Sequence, residues 1–253
     1  MVGMTRVSRI VLLIALLSFL SSVCSASMVK VNVPMKVQGS ITGLNYEVKN
    51  GVLKLNVEFF NSGSVPYNAR FRLYVYNTTN FPISWSNEQS LMPGDRKNYE
   101  IYWYVGNLTG KLNANLRAYY GNEILDYNFS FNTNGVTNRG DIFKIKNFRV
   151  YEDYVRFELR SNKSVNDVII VPSGYVISWI VEQAKVEKLN KNRGVEVFLP
   201  YHAPEWTVGR MTIQVFTEDG LYYKTETFSL HKETGIWKYI HYIIDGLSLY
   251  FNF

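Results

Sequence analysis

Hydrophobic and polar residues alternate with a period of two along much of this chain. Leu53, Leu55, Val57 and Phe59 fall on one side of their run, and Lys54, Asn56 and Glu58 on the other. Ala69, Phe71, Leu73 and Val75 alternate in the same way with Arg70, Arg72, Tyr74 and Tyr76. So do Tyr99, Ile101 and Trp103 with Glu100, Tyr102 and Tyr104, and Val155, Phe157 and Leu159 with Arg156, Glu158 and Arg160. Successive side chains of a strand point to opposite faces, so each run predicts a strand with one buried side. Turn-forming clusters, Asn61-Ser62-Gly63-Ser64 and Pro93-Gly94-Asp95, punctuate the runs. With an opening strand expected near Met35–Gln38, the pattern predicts antiparallel strands packed as a two-sheet sandwich.

The pattern also repeats. Leu112–Phe131 and Met211–Leu230 align without a gap at an offset of 99 residues. Leu112, Ala114 and Leu116 fall on Met211, Ile213 and Val215, Gly121 falls on Gly220, and Phe129-Ser130 on Phe228-Ser229. Each copy reads as strand, glycine turn and strand, a hairpin signature. Ser64-Val65 and Gly94 recur at an offset of 100, as Ser164-Val165 and Gly194. Turn and strand chemistry common to all sandwiches accounts for part of this agreement, and duplication of one β-domain accounts for its register. The expected fold is all-β: two tandem immunoglobulin-like β-sandwich domains, 28–134 and 141–230, joined by the polar stretch Asn132–Gly140. The copies diverge most over 173–189, where Ile177, Ile180, Val181 and Ala184 suit a short helix or an irregular crossover.

The tail, 231–253, departs from this alternation. Ile236, Trp237, Ile240, Ile243 and Ile244 share one helical face, and Leu247, Leu249, Phe251 and Phe253 then alternate with polar neighbours. A short C-terminal amphipathic helix and strand are expected, with three readings: packing on the second domain, membrane-interface contact, or self-association by strand addition. At the other end, Arg6, Arg9, the apolar stretch Ile10–Leu20 and the small residues before Ala26 predict a secretory signal peptide over 1–26. An uncleaved anchor is the lesser reading, because a span needs about 20 apolar residues.

Composition narrows the function. The one cysteine, Cys24, lies in the signal, so the remainder forms neither disulfides nor thiolate metal sites. Beyond residue 26 there are 25 basic against 21 acidic side chains, interspersed, which argues against nucleic acid as a partner. His202, His231 and His241 stand in no metal-ligand spacing, and no nucleophile-elbow, P-loop or dinucleotide motif is present. No catalytic residue, cofactor or metal is therefore assigned.

The strand at Leu55–Val65, LNVEFFNSGSV, the stretch Leu91–Trp103, LMPGDRKNYEIYW, and the closing hairpin resemble the CARDB family of immunoglobulin-like modules related to cell adhesion. The resemblance spans about Leu53–Phe131 and rests on Asn61-Ser62-Gly63 and Leu91-Met92-Pro93-Gly94; the second half lacks both motifs. It implies a surface sandwich for adhesion, spacing or assembly, and carries over no catalytic residue. The expected protein is an exported, non-catalytic cell-surface module whose partner is an envelope protein or polysaccharide; the alternative is a carbohydrate-binding or substrate-presenting protein. The candidate binding face comprises Arg70, Arg72, Tyr74, Tyr76, Arg117 and Tyr119, where Tyr and Arg suit stacking on sugars or protein hot spots. Against this stands a plain solvated face, since strands favour tyrosine. Asn77, Asn107, Asn128 and Asn162 open N-x-Ser/Thr sequons and are candidate glycosylation sites.

Overall fold

The computed structural model describes residues 35–76, 78, 83–136, 140–151, 153–174, 180–202 and 208–231. The expected leader, 1–26, and the expected helix and strand over 232–253 lie outside these residues, among them Ile236, Trp237, Ile240, Ile243 and Ile244. What is described is all-β.

The N-terminal half comprises β1 (Gly39–Lys49), β2 (Val52–Asn61), β3 (Tyr67–Val75), β4 (Ile83–Trp85), β5 (Gln89–Leu91), β6 (Arg96–Tyr104), β7 (Gly110–Tyr120) and β8 (Glu123–Thr133). One sheet runs β1-β2-β6; the other runs β4-β3-β7-β8, with β5 also on β3. The C-terminal half comprises β9 (Phe143–Val150), β10 (Tyr154–Ser161), β11 (Val165–Gly174), β12 (Ile180–Val181), β13 (Ala184–Leu189), β14 (Gly194–His202), β15 (Val208–Thr217) and β16 (Tyr223–His231). Its sheets run β12-β14-β10-β9 and β13-β11-β15-β16. Matching β1 to β9, β2 to β10, β3 to β11, β6 to β14, β7 to β15 and β8 to β16 gives the same strand order in both halves. All ladders between named strands are antiparallel.

Each sheet pair is a β-sandwich around its own core. The first buries Leu53, Leu55, Val57 and Phe59 against Phe71, Leu73, Leu116 and Phe131; the second buries Val155, Phe157 and Leu159 against Ile170, Ile213, Val215 and Leu230. The alternation in the sequence identifies these inward rows.

Three expectations change. The opening strand is not near 35–38 but runs Gly39–Lys49, because Asn50 and Gly51, both with positive φ (46° and 70°), form a two-residue hairpin pairing Lys49 with Val52. Of the short helix and the irregular crossover expected over 173–189, the described residues show the crossover, with Ile177 outside them: β12 joins the β14 sheet and β13 the β11 sheet. The two aligned hairpins also pair differently. Leu116 lies opposite Tyr127, whereas Val215 lies opposite Lys224 rather than the aligned Glu226. The return strand has slid by two residues, which a longer loop absorbs and which keeps every side chain on its face.

The turn motifs behind the family resemblance meet at Asn61, which is fully buried. Its N–H donates to Asp95 O (3.0 Å) and its carbonyl accepts from Gly94 N (2.9 Å). Its Nδ2 donates to Val65 O (3.0 Å) and Leu91 O (3.2 Å), while Oδ1 accepts from Gly63 N (2.9 Å). A Cβ on Gly63 would stand 2.3 Å from Lys36 O, so only glycine fits. Ser161 holds the equivalent place in the second half, where its Oγ accepts from Lys163 N (3.2 Å). Replacing Asn61 leaves buried carbonyls without a donor. Asn61→Ala is expected to destabilise the protein by about 2 kcal/mol, and Ser161→Ala by about 1 kcal/mol or less, read from urea midpoints at unchanged slope.

Candidate functional site

The outer face of the β3–β7–β8 sheet carries the residues singled out by sequence. Phe71, Leu73 and Val75 point into the core, so Arg70, Arg72 and Tyr74 of β3 point out; Arg70 pairs with Tyr119 and Arg72 with Arg117 across the ladder. Tyr76 follows β3, with its ring 5.1 Å from that of Tyr74 in a T-shaped contact, and it is exposed. The arginines differ in their surroundings. Arg117 makes a two-pronged bond to Asp126, Nε to Oδ1 at 2.7 Å and Nη2 to Oδ2 at 2.9 Å. That bond holds the Asp126 carboxyl below its usual range. Asn115 Nδ2 bridges Asp126 Oδ1 and Asn128 Oδ1 at 3.1 and 3.0 Å. Arg70 pairs with Glu88 at 2.5 Å and has only 12% of its side chain exposed. Arg72 lies over the Tyr119 ring, 5.9 Å from its centre.

Trp85, on β4 opposite Arg72, belongs to the same face and was not anticipated. It is 5% exposed, and its ring lies 5.5 Å from Tyr119. Trp85 Nε1, Arg72 Nε and one Arg70 Nη are buried donors with no acceptor among the described residues. Donors so placed are satisfied by water or by an oxygen-bearing ligand. The sequence signal for Trp85 was an isolated aromatic in a three-residue strand too short to show alternation.

The described sequon asparagines are all exposed: Asn107 and Asn162 in turns, and Asn128 on β8. Asn77 lies outside the described residues. A second aromatic row was also missed. Tyr151 and Tyr154 stack at 4.5 Å, Tyr154 contacts Phe198 at 5.9 Å, and Arg156 lies over the Phe198 ring at 5.7 Å. Its signal is Phe198 itself, an aromatic on the polar side of the alternation Val195, Val197, Leu199, Tyr201.

The strongest electrostatic site joins the two halves. Val52 and Tyr102, on the outer face of the β1-β2-β6 sheet, pack with Ile169, Val171 and Phe216 from β11 and β15. Tyr104 stacks on Tyr223 at 3.8 Å. Glu218 caps this apolar cluster. Its carboxylate meets Lys54 Nζ at 2.7 Å and Lys185 Nζ at 2.8 Å, and accepts from the Tyr102 hydroxyl at 3.2 Å. Lys54 also reaches Glu100 (3.2 Å), and Lys185 reaches Asp167 (3.1 Å). Partial burial works against the Glu218 charge, but the two ammonium groups outweigh it and pull the carboxyl down to about 2. Burial raises the Tyr102 hydroxyl to about 12. Beside the network, Glu47, Lys49, Asn166 and Asp219 help line a cleft of about 540 Å³. A carboxylate held ionised by two lysines is suited to locking two surfaces together and poorly suited to exchanging protons near neutrality.

Gln183 closes the junction from another side. Its Oε1 accepts from Tyr102 N (3.0 Å) and its Nε2 donates to Glu100 O, so one side-chain amide satisfies the free edge of β6. Ser84 Oγ donates to Tyr102 O (2.7 Å) and Gln89 Nε2 to Asn98 O (2.8 Å). Nearby, Glu88 N donates to a carboxylate oxygen of Glu182 (3.3 Å), whose carboxyl is raised by burial. The junction had a sequence signal that alternation alone overlooks. Val168-Ile169-Ile170-Val171 is an unbroken apolar run, the mark of a strand buried on both faces.

Because the Glu218 carboxyl is lowered in the folded chain, it adds stability above its ordinary value of 4.5, and that contribution is lost as pH falls toward about 2. The urea midpoint of the wild type is expected to fall more between pH 5 and pH 2 than that of Glu218→Gln, with the two curves converging at the acid end.

No family model matches the chain, and no curated protein matches it. Solved structures similar to it include red sea bream transglutaminase, 8% identical at a TM-score of 0.25, covering 77% of this chain and 32% of that one. They also include Salmonella α2-macroglobulin reacted with methylamine, 11% identical at 0.27, covering 78% and 17%. A third is the chicken interferon-γ receptor α chain, 9% identical at 0.23, covering 77% and 99%. The chain thus spans under a third of the transglutaminase and less of the macroglobulin. At these TM-scores the matches assign neither family nor activity.

Proposed function

We propose that this chain is an exported, non-catalytic surface module of two tandem immunoglobulin-like domains, serving adhesion, envelope scaffolding or filament assembly. The observation that carries this reading is the locked junction: an apolar cluster centred on Phe216, capped by Glu218 between Lys54 and Lys185. A joint of this kind holds two sandwiches at one angle, which suits a load-bearing or spacing element. Its charged groups are consumed in mutual pairing rather than directed at a reacting centre. The alternation, the leader-like 1–26 and the cysteine-free remainder agree with an exported module.

The second reading, carbohydrate binding, is favoured by the outer face of β3 and β7. There Tyr74, Tyr76, Tyr119 and Arg72 offer ring faces and donors together. Cell fractionation with mass spectrometry of the native protein tests export and glycosylation at Asn107, Asn128 and Asn162. Surface recovery of a chain starting near residue 27 is expected, and recovery of an intact chain from the cytosol overturns the proposal. Glycan-array binding lost in the Tyr74→Ala, Tyr76→Ala double variant selects the second reading; no binding by the wild type removes it.

A further inference from the structure

Most long sheet edges among the described residues carry a device that discourages pairing with another strand. On β6 the free edge is occupied by Ser84, Gln89 and Gln183. The β1 ladder is broken by a bulge between Ile41 and Gly43. The β9 ladder shifts register opposite Arg156–Glu158, and the strand carries Lys144, Lys146 and Arg149. On β16, the topological counterpart of β8, Lys224 and Glu226 stand in the inward-facing row. The edge of β8 differs. Its ladder with β7 runs unbroken over eleven residues, without proline, lysine or bulge. Past Glu123, which opens the strand at the turn, its inward row is Leu125, Tyr127, Phe129 and Phe131.

The free groups of this edge follow from the register. Tyr120 pairs with Glu123 across a two-residue loop, so odd-numbered residues of β8 bond to β7. The N–H and C=O of Ile124, Asp126 and Asn128 therefore face away from the sheet. Ser130 belongs to the same set, and its carbonyl accepts from the Tyr46 hydroxyl at 3.2 Å. Beside this edge the sandwich is open: Tyr46 is 47% and Tyr127 44% exposed, with the Tyr46 ring 5.6 Å from Phe129. A strand added here must put an apolar row inward and a polar row outward. β8 is itself such a strand, so the edge is complementary to a second copy of itself.

We propose that two copies of this chain pair antiparallel through β8 about a twofold axis, extending the β4-β3-β7-β8 sheet across both. Charge selects the register. With the axis at Asp126, two carboxylates would oppose each other, which is unfavourable. With the axis at Tyr127, each Asp126 faces the other copy's Asn128 and each Ile124 faces its Ser130, no like charges meet, and the exposed Tyr127 rings become buried against each other. The contact is isologous and closes at two copies. This inference rests on the β8 edge alone and stands apart from the role proposed above.

Sedimentation of the full chain, produced without glycans because Asn128 stands at this edge, tests it. The wild type is expected to sediment as a dimer. Asn128→Pro removes a free edge N–H while leaving the bonds to β7, and is expected to weaken association at least tenfold; Asn128→Ala keeps that N–H and stays dimeric. Tyr127→Lys and Tyr127→Glu each place like charges across the axis and are expected to be monomeric alone, but to form a mixed dimer when combined. That charge-swap arm decides the matter if the proline variant does not fold. A wild type that stays monomeric at every soluble concentration overturns the proposal, as does a dimer untouched by the Tyr127 changes.

Discussion

Burial of both faces of β6 and β11 is the constraint on which the rest of this arrangement depends. In an ordinary sandwich each strand offers one face to the core and one to water. Here Ile101 and Trp103 fill the first core while Tyr102 lies beneath the second half, and Val168 and Ile170 fill the second core while Ile169 and Val171 lie beneath the first. Once these outer faces are apolar, neither half can present them to water without cost, and the halves associate through them. The Lys54–Glu218–Lys185 network then rims the contact. Three groups of mixed charge there satisfy one another as they lose water, which limits the desolvation that an isolated carboxylate would suffer.

The same constraint organises the edges. Bringing the halves together carries Gln183 to the free edge of β6, where its amide substitutes for the strand that is missing. A sheet edge is thereby protected by a side chain from the other half of the chain. β8 lies at the far end of the opposing sheet, outside this arrangement, and the junction supplies no cover for it. The binding face is affected unevenly. Arg70 is paired with Glu88, itself bonded to Glu182, whereas Tyr76 and Asn128 stay open to water. One row of residues that looks uniform in sequence is thus divided between a contact region and a solvent-facing region.

Much of the fold was legible because strand geometry makes a local pattern sufficient. The inward rows at Leu53–Phe59, Ala69–Val75 and Val155–Leu159 were identified by alternation, since a period of two has only one buried register. The two turn motifs were also legible, although their meeting at Asn61 was not: Gly63 lies beside that asparagine in the chain, but Gly94 is brought to it by strand pairing. Pairing register was less accessible. The ungapped alignment of the two hairpins is correct for side-chain faces and off by two residues for partners, since a slide of two leaves the polar pattern unchanged.

The sequence by itself determined the all-β class, the inward faces and the turns of the repeated hairpin. Each of these follows from contacts within a strand or between neighbours along the chain. Only the tertiary structure decided which outward faces would be covered: that Tyr102 and Phe216 meet, that Glu218 lies between two lysines, that Gln183 closes one edge and that β8 keeps its own. Those outcomes depend on the angle at which two sandwiches dock, a quantity set by side chains more than a hundred residues apart, such as Lys54 and Glu218, and carried by no local period.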